Sequence, residues 1–198
     1  MGPTRNGIIS LALLTLSLVN VASCTVGHRF LPYNFTLAAV NVTLPNANQT
    51  GAPLVLGQDG ASSGISFYVT STYASFPYND YPTLGLVNHT LRAYRQDGSW
   101  NTNATEVKSG GTLGWVTSTK YRQLAPDVYS AIREPDDEYA LLAAHGFSNL
   151  WSLCPFPGNR PQTNVVFNIS AADDTRSSAS SPDPALCYPV RINIVPIV

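Results

Sequence analysis

Charged residues are scarce in this chain. Asp, Glu, Lys and Arg make up 12% of its 198 residues, and the formal net charge at pH 7 is −1. An average soluble protein carries about 25% charged residues. The only lysines are Lys108 and Lys120, and the arginines are scattered along the chain. Because nucleic-acid binding needs a concentrated basic surface, this composition argues against nucleic acid as a partner.

Cysteine is also scarce. The chain has three cysteines and no Cys-x-x-Cys pair, which excludes the common zinc and thiol-exchange motifs. Cys154 and Cys187 are expected to form a disulfide in an oxidising compartment, closing a loop of roughly 34 residues. Cys24 lies in the N-terminal segment, so it is removed or left as an extra thiol depending on where that segment is cleaved. No pattern in the sequence predicts a cofactor or a bound metal.

Long hydrophobic runs are missing after the N-terminal segment. Residues 1–7 carry Arg5 and no acidic residue, residues 8–21 are mostly apolar, and the small residues Ala22 and Ser23 follow. This pattern is typical of a signal peptide and is too short and interrupted for a comfortable membrane span. A bacterial lipoprotein is the alternative, since the segment ends in a lipobox-like motif.

The domain prediction follows from this segment. We expect a cleaved signal peptide over residues 1–24 and a single β-rich domain over residues 25–198, with no membrane attachment after cleavage. The protein is then secreted, and it resides outside the cell or in a cell wall.

Six Asn-x-Ser/Thr sequons support the same prediction. An oligosaccharyl transferase reads an amide followed two residues later by a hydroxyl, so each used site must reach the surface. The acceptor asparagines are Asn34, Asn41, Asn48, Asn88, Asn103 and Asn168. No sequon lies between Asn103 and Asn168, which leaves residues 104–167 as the longest surface free of glycans for a partner.

Helical periodicity is almost absent, whereas turn-forming residues are frequent. The chain contains 15 Pro and 14 Gly, and short alternating segments rich in Val, Thr and Tyr separate them. This pattern predicts an all-β fold, a single-domain antiparallel sandwich or barrel with long loops, with a β-trefoil as the alternative. The clearest predicted strands are residues 65–72, 112–119, 163–170 and 188–195. Residues 126–133 are predicted to form two helical turns, and residues 138–145 are either strand or helix.

Alternation predicts which strand faces are solvated. Asn34 and Asn41 differ in parity relative to their apolar neighbours, so both face solvent only if the strand slips in phase near Ala38 and Ala39. Asn168 is predicted to share a solvated strand face with Asn164, Val166 and Ser170. Around the fourth sequon, the outward residues are predicted to be Asn88, Thr90 and Arg92, and the inward residues Val87, His89, Leu91 and Ala93.

Motifs for hydrolysis are weak. Residues 60–64 read Gly-Ala-Ser-Ser-Gly, which matches the nucleophile elbow of α/β-hydrolases with Ser62 as nucleophile. The elbow needs a strand before it and a helix after it, whereas a strand is predicted after it here. His89 and His145 are the available bases, but no triad follows from their spacing. The acidic run at residues 134–138 is expected to be a solvated turn rather than a calcium site.

Aromatic residues crowd one predicted loop. Tyr73, Phe76, Tyr78 and Tyr81 surround two prolines, Pro77 and Pro82, that stiffen the chain. Exposed tyrosine rings on a rigid loop can stack on sugar faces, so these four residues are candidate carbohydrate contacts. The alternative is that the rings cap the end of the β core.

Two tryptophans are predicted to belong to the core. Trp115 lies in a predicted strand, and Trp151 lies shortly before Cys154.

A family resemblance rests on three short segments. The run Phe147-Ser-Asn-Leu-Trp-Ser-Leu-Cys154-Pro, followed by a strand and a second cysteine, resembles small secreted fungal cell-wall proteins of the phialide (PhiA) type. Residues 51–57 and 91–94 are similar to strand patterns of the same family. This chain has fewer cysteines and more sequons than that family. The resemblance implies a structural or developmental role in the wall and supplies no catalytic residue.

Three functional hypotheses follow, in order of preference. The first is a non-enzymatic secreted glycoprotein of a cell wall or extracellular matrix, with wall polysaccharide or wall proteins as partners. The second is a carbohydrate-binding module that uses the loop from Tyr73 to Tyr81. The third is a secreted hydrolase whose site the sequence does not reveal.

Overall fold

The fold is built almost entirely from antiparallel strands. The computed structural model describes residues 27–118, 126–157, 161–171 and 182–197; the predicted signal peptide lies outside them. Two short 3-10 helices, Ile169–Ala171 and Pro184–Leu186, accompany the strands. The strands are β1 (Phe35–Asn41), β2 (Ala52–Ser62), β3 (Ile65–Thr72), β4 (Thr83–Val87), β5 (Thr90–Tyr94), β6 (Thr102–Ala104), β7 (Gly114–Ser118), β8 (Tyr129–Ile132), β9 (Ala140–Ala144), β10 (Trp151–Phe156), β11 (Gln162–Phe167) and β12 (Tyr188–Pro196).

Nine of these strands close into a barrel, which confirms the all-β prediction and selects the barrel. The closed circuit runs β1-β4-β5-β6-β7-β3-β11-β10-β12 and returns to β1. Three of these strands lie outside this circuit. Strand β2 pairs with both β1 and β3, β9 pairs with β12, and β8 pairs with β9. The β-trefoil alternative is not needed to describe this fold.

The barrel interior holds one cluster of buried apolar side chains. Alternate residues of each strand point inward, as the period of two requires. In β1 these residues are Phe35, Leu37 and Ala39, and the antiparallel strand β12 contributes in the same way with Val190, Ile192 and Ile194. The described parts of β8 and β9 also supply residues to this cluster.

Both predicted core tryptophans are buried, with 1% of Trp115 and none of Trp151 exposed. Each indole N–H has an acceptor: Trp115 donates to Thr70 Oγ1 and Trp151 donates to the Leu142 carbonyl, both at 2.8 Å. A buried indole without an acceptor would lose the hydrogen bond that it makes to water.

The helix prediction for residues 126–133 is wrong. That segment contains β8, which pairs with β9 along its whole length, and His28 forms a further bridge with Ala131. The ambiguous segment 138–145 contains strand β9. Pairing with β9 and with His28, both outside the segment, decides the conformation here, so the helix-start signal at Pro126 did not predict it.

The predicted phase slip in the first strand is also wrong. Strand β1 pairs with β12 in continuous register from Phe35 to Asn41, without a bulge at Ala38 or Ala39. Asn34 precedes the strand, and Asn41 is its last residue. The Asn41 Oδ1 accepts hydrogen bonds from the backbone N–H of Thr43 at 2.8 Å and of Leu44 at 2.9 Å, so the asparagine side chain supports the turn that ends the strand.

Asn88 and His89 form a turn rather than part of a strand. Both have positive φ, 47° and 61°, and they make up the two-residue connection between β4 and β5. A two-residue hairpin of this kind favours asparagine at its centre. His89 therefore lies in the turn and not on the inward face of a strand, as was predicted. The outward position predicted for Thr90 is also wrong, since only 4% of this residue is exposed. The predicted inward residues Leu91 and Ala93 belong to the core.

The prediction for the sixth sequon, Asn168, is also wrong, because this residue does not lie in a strand. Strand β11 ends at Phe167, and Asn168 has a φ of 46°. The strand face that was predicted to be solvated is buried, with Asn164 6% exposed and Val166 0% exposed.

The predicted disulfide between Cys154 and Cys187 is confirmed, with an S–S distance of 2.08 Å. It links β10 to the residue before β12, and those two strands also pair directly. Among the residues described, no helix has the length and apolar character needed to cross a membrane.

Removal of this disulfide should destabilise the barrel. Cys154→Ala with Cys187→Ala frees a loop of roughly 34 residues in the unfolded state, which costs about 3–4 kcal/mol of unfolding free energy. Urea unfolding of the oxidised protein and of the double variant measures the difference. A reducing agent should cause a similar loss in the unmodified protein and none in the variant; equal stability of the two oxidised proteins would contradict the prediction.

Candidate functional site

The aromatic loop connects β3 to β4. Tyr73 and Tyr78 are 47% and 65% exposed, and the Phe76 ring lies edge-on to Tyr78 with 5.3 Å between ring centroids. The loop begins with a tight turn, because the backbone N–H groups of Ser75 and Phe76 both donate to the Thr72 carbonyl at 3.0 Å. Three of the four predicted carbohydrate contacts therefore lie on a surface loop of defined shape.

Tyr81 differs from the other three predicted contacts. It is 3% exposed and belongs to the core, and its hydroxyl lies 3.1 Å from Thr117 Oγ1. Its ring packs edge-on against Tyr68 with 5.4 Å between centroids. The expectation of an exposed, stacking ring does not hold at this position; Tyr81 anchors the end of the loop instead.

A groove lies beside the loop. Its volume is about 480 Å³, and its walls come from β2, β3, β11, the end of β10 and the aromatic loop. It is lined by Gln58, Asp59, Gly60, Val69, Phe76, Phe156, Pro157, Gln162 and Asn164.

Two amide side chains of β11 are held in place in this groove. Ser71 Oγ lies 2.8 Å from Gln162 Oε1 and 2.7 Å from Asn164 Oδ1. A hydroxyl has one proton, so Ser71 donates to one of these oxygens at a time. The Gln162 Nε2 donates to the Gln58 carbonyl at 3.0 Å. These contacts restrict both amides before any ligand arrives.

The chemistry of the groove suits a neutral ligand with hydroxyl groups. Among the lining residues only Asp59 carries a formal charge. Amides provide both donors and acceptors, and the half-buried rings of Phe76 and Phe156 provide flat apolar surface. Binding sites of this type combine apolar walls with a few polar groups that fix the orientation of the ligand.

The residues of the hydrolase motif do not assemble into a nucleophilic site. Ser62 is exposed and ends β2 at the tight turn into β3, so no helix follows it. Both candidate bases contact backbone carbonyls: His89 Nδ1 lies 2.8 Å from the Tyr129 oxygen, and His145 Nε2 lies 2.8 Å from the Val107 oxygen. Each contacting ring nitrogen therefore carries the proton, and among the described residues neither histidine forms a hydrogen bond with Ser62.

The acidic run forms part of the surface. Arg191 lies 3.8 Å from Glu134 and 3.6 Å from Asp137, and all three side chains are partly exposed. The portion of the chain that the structure describes contains no group of three or more side chains able to hold a metal ion.

The sequons fall into two groups. Asn34, Asn48 and Asn88 are exposed, whereas Asn41, Asn103 and Asn168 are half-buried. Asn103 pairs with Arg92 within the sheet, and Asn168 Nδ2 donates to Ser109 Oγ at 3.0 Å. The segment without sequons, residues 104–167, includes Phe156, Gln162 and Asn164 of the groove.

Comparisons with known proteins do not identify a relative. Profiles of known protein families do not match the chain, and neither do the curated proteins or the solved structures. The resemblance to wall proteins of the phialide type stays a prediction from the sequence. Inference about function therefore depends on the groove and the loop.

Sequence reasoning found the aromatic loop but missed the amides. Asn164 was assigned to a solvated strand face, and Gln58 and Gln162 were not singled out. Asn164 pairs with Ser71 across 93 residues of chain, and no local pattern encodes that register. The only sequence signal was the concentration of amide side chains in segments next to predicted strands.

Gly57 is required for the contact between Ser71 and Gln162. A Cβ at position 57 would lie 2.2 Å from Gln162 Oε1 and 2.4 Å from Ser71 Oγ. Gly57→Ala should displace the Gln162 amide and reduce the unfolding free energy by about 1–3 kcal/mol. Urea unfolding measures the stability, and the side-chain amide resonances of Gln162 report the displacement.

Gly60→Ala is the matched control, because it lies in the same strand and an added Cβ would meet nothing within 4 Å. The prediction is contradicted if the two variants have equal stability and Gln162 keeps its resonances in both.

Proposed function

We propose that this protein is a non-enzymatic secreted glycoprotein that binds neutral polysaccharide of a cell wall or extracellular matrix through the groove beside the aromatic loop. The observation that carries the proposal is the position of Gln162 and Asn164, held by Ser71, next to Phe76. Amides oriented in advance lose little entropy when they bind hydroxyl groups. The adjacent ring offers a face to the C–H groups of a sugar.

The aromatic loop supports binding by being rigid and exposed at once. Pro77 and Pro82 fix two φ angles, and Tyr81 is packed in the core, so Tyr78 extends from a restrained backbone. Tyrosine has few rotatable bonds, which keeps the entropic cost of contact low. A groove of about 480 Å³ also falls within the usual range for small-molecule sites, about 300–1,000 Å³.

The cellular setting of the proposal comes from the sequence. A signal-peptide pattern and six sequons support secretion and glycosylation, and the disulfide is compatible with an oxidising compartment. The wall or matrix location rests on the resemblance to phialide-type proteins. Since residues 104–167 lack sequons, the β10 and β11 residues that line the groove carry no N-glycan themselves.

Loss of the two loop rings should weaken polysaccharide binding. Phe76→Ala with Tyr78→Ala removes two ring contacts, each worth about 0.5–1.5 kcal/mol, so we expect affinity to fall about fivefold or more. Pulldown with insoluble wall polysaccharides and a glycan array measure the binding. Phe147→Ala is the control, since Phe147 is 53% exposed and lies outside the groove. Equal binding by the double variant and the control, or no glycan binding by the unmodified protein, would contradict the proposal.

Sequons whose asparagine is exposed should carry a glycan more often than sequons whose asparagine is half-buried. In a eukaryotic secretory host, we expect Asn34 and Asn88 to be glycosylated more fully than Asn103, because a glycan on the half-buried Asn103 must fit against Arg92. Mass spectrometry of glycopeptides measures the occupancy of each site. Full occupancy of Asn103 together with empty Asn34 and Asn88 would be inconsistent with this prediction.

A further inference from the structure

A second cavity lies at the end of the aromatic loop. Its volume is about 550 Å³, and its residues come from β3, from the end of the loop, and from the connection between β5 and β6. It is lined by Tyr68, Asn79, Asp80, Tyr81, Arg95, Gln96 and Asp97.

The inner wall of this cavity is tied to the barrel. Arg95 places its guanidinium carbon 5.7 Å from the centroid of the Tyr81 ring, which packs against Tyr68. The Tyr81 hydroxyl lies 3.1 Å from Thr117 Oγ1, and that oxygen lies 2.5 Å from Thr102 Oγ1. Tyr81, which forms part of this wall, is therefore held by a connected set of buried polar groups.

The electrostatics of the two tyrosines reflect this network. Burial raises the pKa of Tyr68. Burial also acts to raise the pKa of Tyr81, but its hydrogen-bonding neighbours, Thr102 and Thr117 first among them, outweigh burial and hold the pKa below its ordinary value. Perturbed groups in a cavity are common at functional sites.

Polar side chains at the rim of the cavity are available to a ligand. Within the described residues, the side chains of Asn79, Asp80 and Gln96 make no hydrogen bond. Asp97 uses Oδ1 to accept from the N–H and the hydroxyl of Ser99, at 2.9 and 2.6 Å. The rim thus offers amide and carboxylate groups to a ligand.

The charged side chains of the second cavity indicate which class of ligand it can bind. Two carboxylates, Asp80 and Asp97, accompany one guanidinium, Arg95, so a carboxylate or phosphate ligand would face net repulsion. A neutral vicinal diol fits instead, because a carboxylate can accept from hydroxyl groups while guanidinium and amide groups donate to them. The edges of Tyr68 and Tyr81 add apolar surface.

The two cavities are close enough for one chain of sugars to reach both. Phe76 lines the groove, and Asn79 lines the second cavity; three residues of chain span about 10 Å at most. Tyr78 lies between them in sequence and is 65% exposed.

We propose that the second cavity is a further saccharide subsite, selective for neutral sugars with vicinal hydroxyls, and that one polysaccharide chain crosses the aromatic loop to occupy both cavities. This inference rests on the proposed function of the groove. It adds a length requirement, since a ligand that fills both subsites gains affinity over one that fills the groove alone.

The test compares short and long ligands. Asp80→Ala with Gln96→Ala removes two rim groups that make no hydrogen bond to the described protein. Asp136→Ala with Gln49→Ala is the matched control, because these exposed residues lie outside both cavities. The probes are β-1,4-linked glucose oligomers and α-1,6-linked mannose oligomers of about two and about six units, whose internal units keep free vicinal hydroxyls, and titration calorimetry measures their binding. Thermal unfolding verifies that both variants fold like the unmodified protein.

We expect the unmodified protein and the control to bind the long oligomer about tenfold more tightly than the short one. The rim variant should lose that gain yet bind the short oligomer as the unmodified protein does. A rim variant that folds and keeps the full gain overturns the second subsite and leaves the groove intact. An unmodified protein that binds neither series overturns both proposals.

Discussion

The pairing of β1 with β12 is the interaction on which the barrel depends. It joins the segments from Phe35 to Asn41 and from Val190 to Pro196 in unbroken register, so the two ends of the described chain close the sheet. Without this pairing, two strands would expose unpaired backbone groups and the apolar faces of β1 and β12 would lose their cover. Because these partners are far apart in sequence, closure carries a large loop entropy and is expected to be a late, slow step of folding.

Closure also explains why the groove lies where it does. Strand β3 pairs with β2, β7 and β11, so the loop that follows it begins at a point fixed from both sides. The only register pair between β11 and β3 joins Asn164 to Ser71. The same contact that joins these strands therefore orients the amides of the candidate site, so the stability of the barrel and the proposed ligand binding depend on one small polar cluster.

Local pattern predicted the strands whose alternation was strong. The predicted strand 65–72 has the bounds of β3, and the predicted strand 188–195 differs from β12 by one residue. The pattern failed where contacts outside the segment or the geometry of a turn decide the outcome. The segment with a helix-start signal contains β8, which pairs with β9; Asn88 belongs to a two-residue turn rather than a strand; and β11 is buried on both faces. The site divides in the same way, since the aromatic loop is visible in sequence whereas the amides meet only through a register that spans 93 residues.

Tyr81 shows why an aromatic cluster in a sequence contains more than one kind of residue. Its ring is packed in the core and its hydroxyl joins the Thr117 and Thr102 network, whereas Tyr78, three residues earlier, is largely exposed. A loop needs a buried anchor before its exposed rings can hold a fixed position. Because the anchor also forms the wall of the second cavity, loss of the Tyr81 ring would disturb the loop and that cavity together, so a Tyr81 variant alone would not separate structural from binding effects.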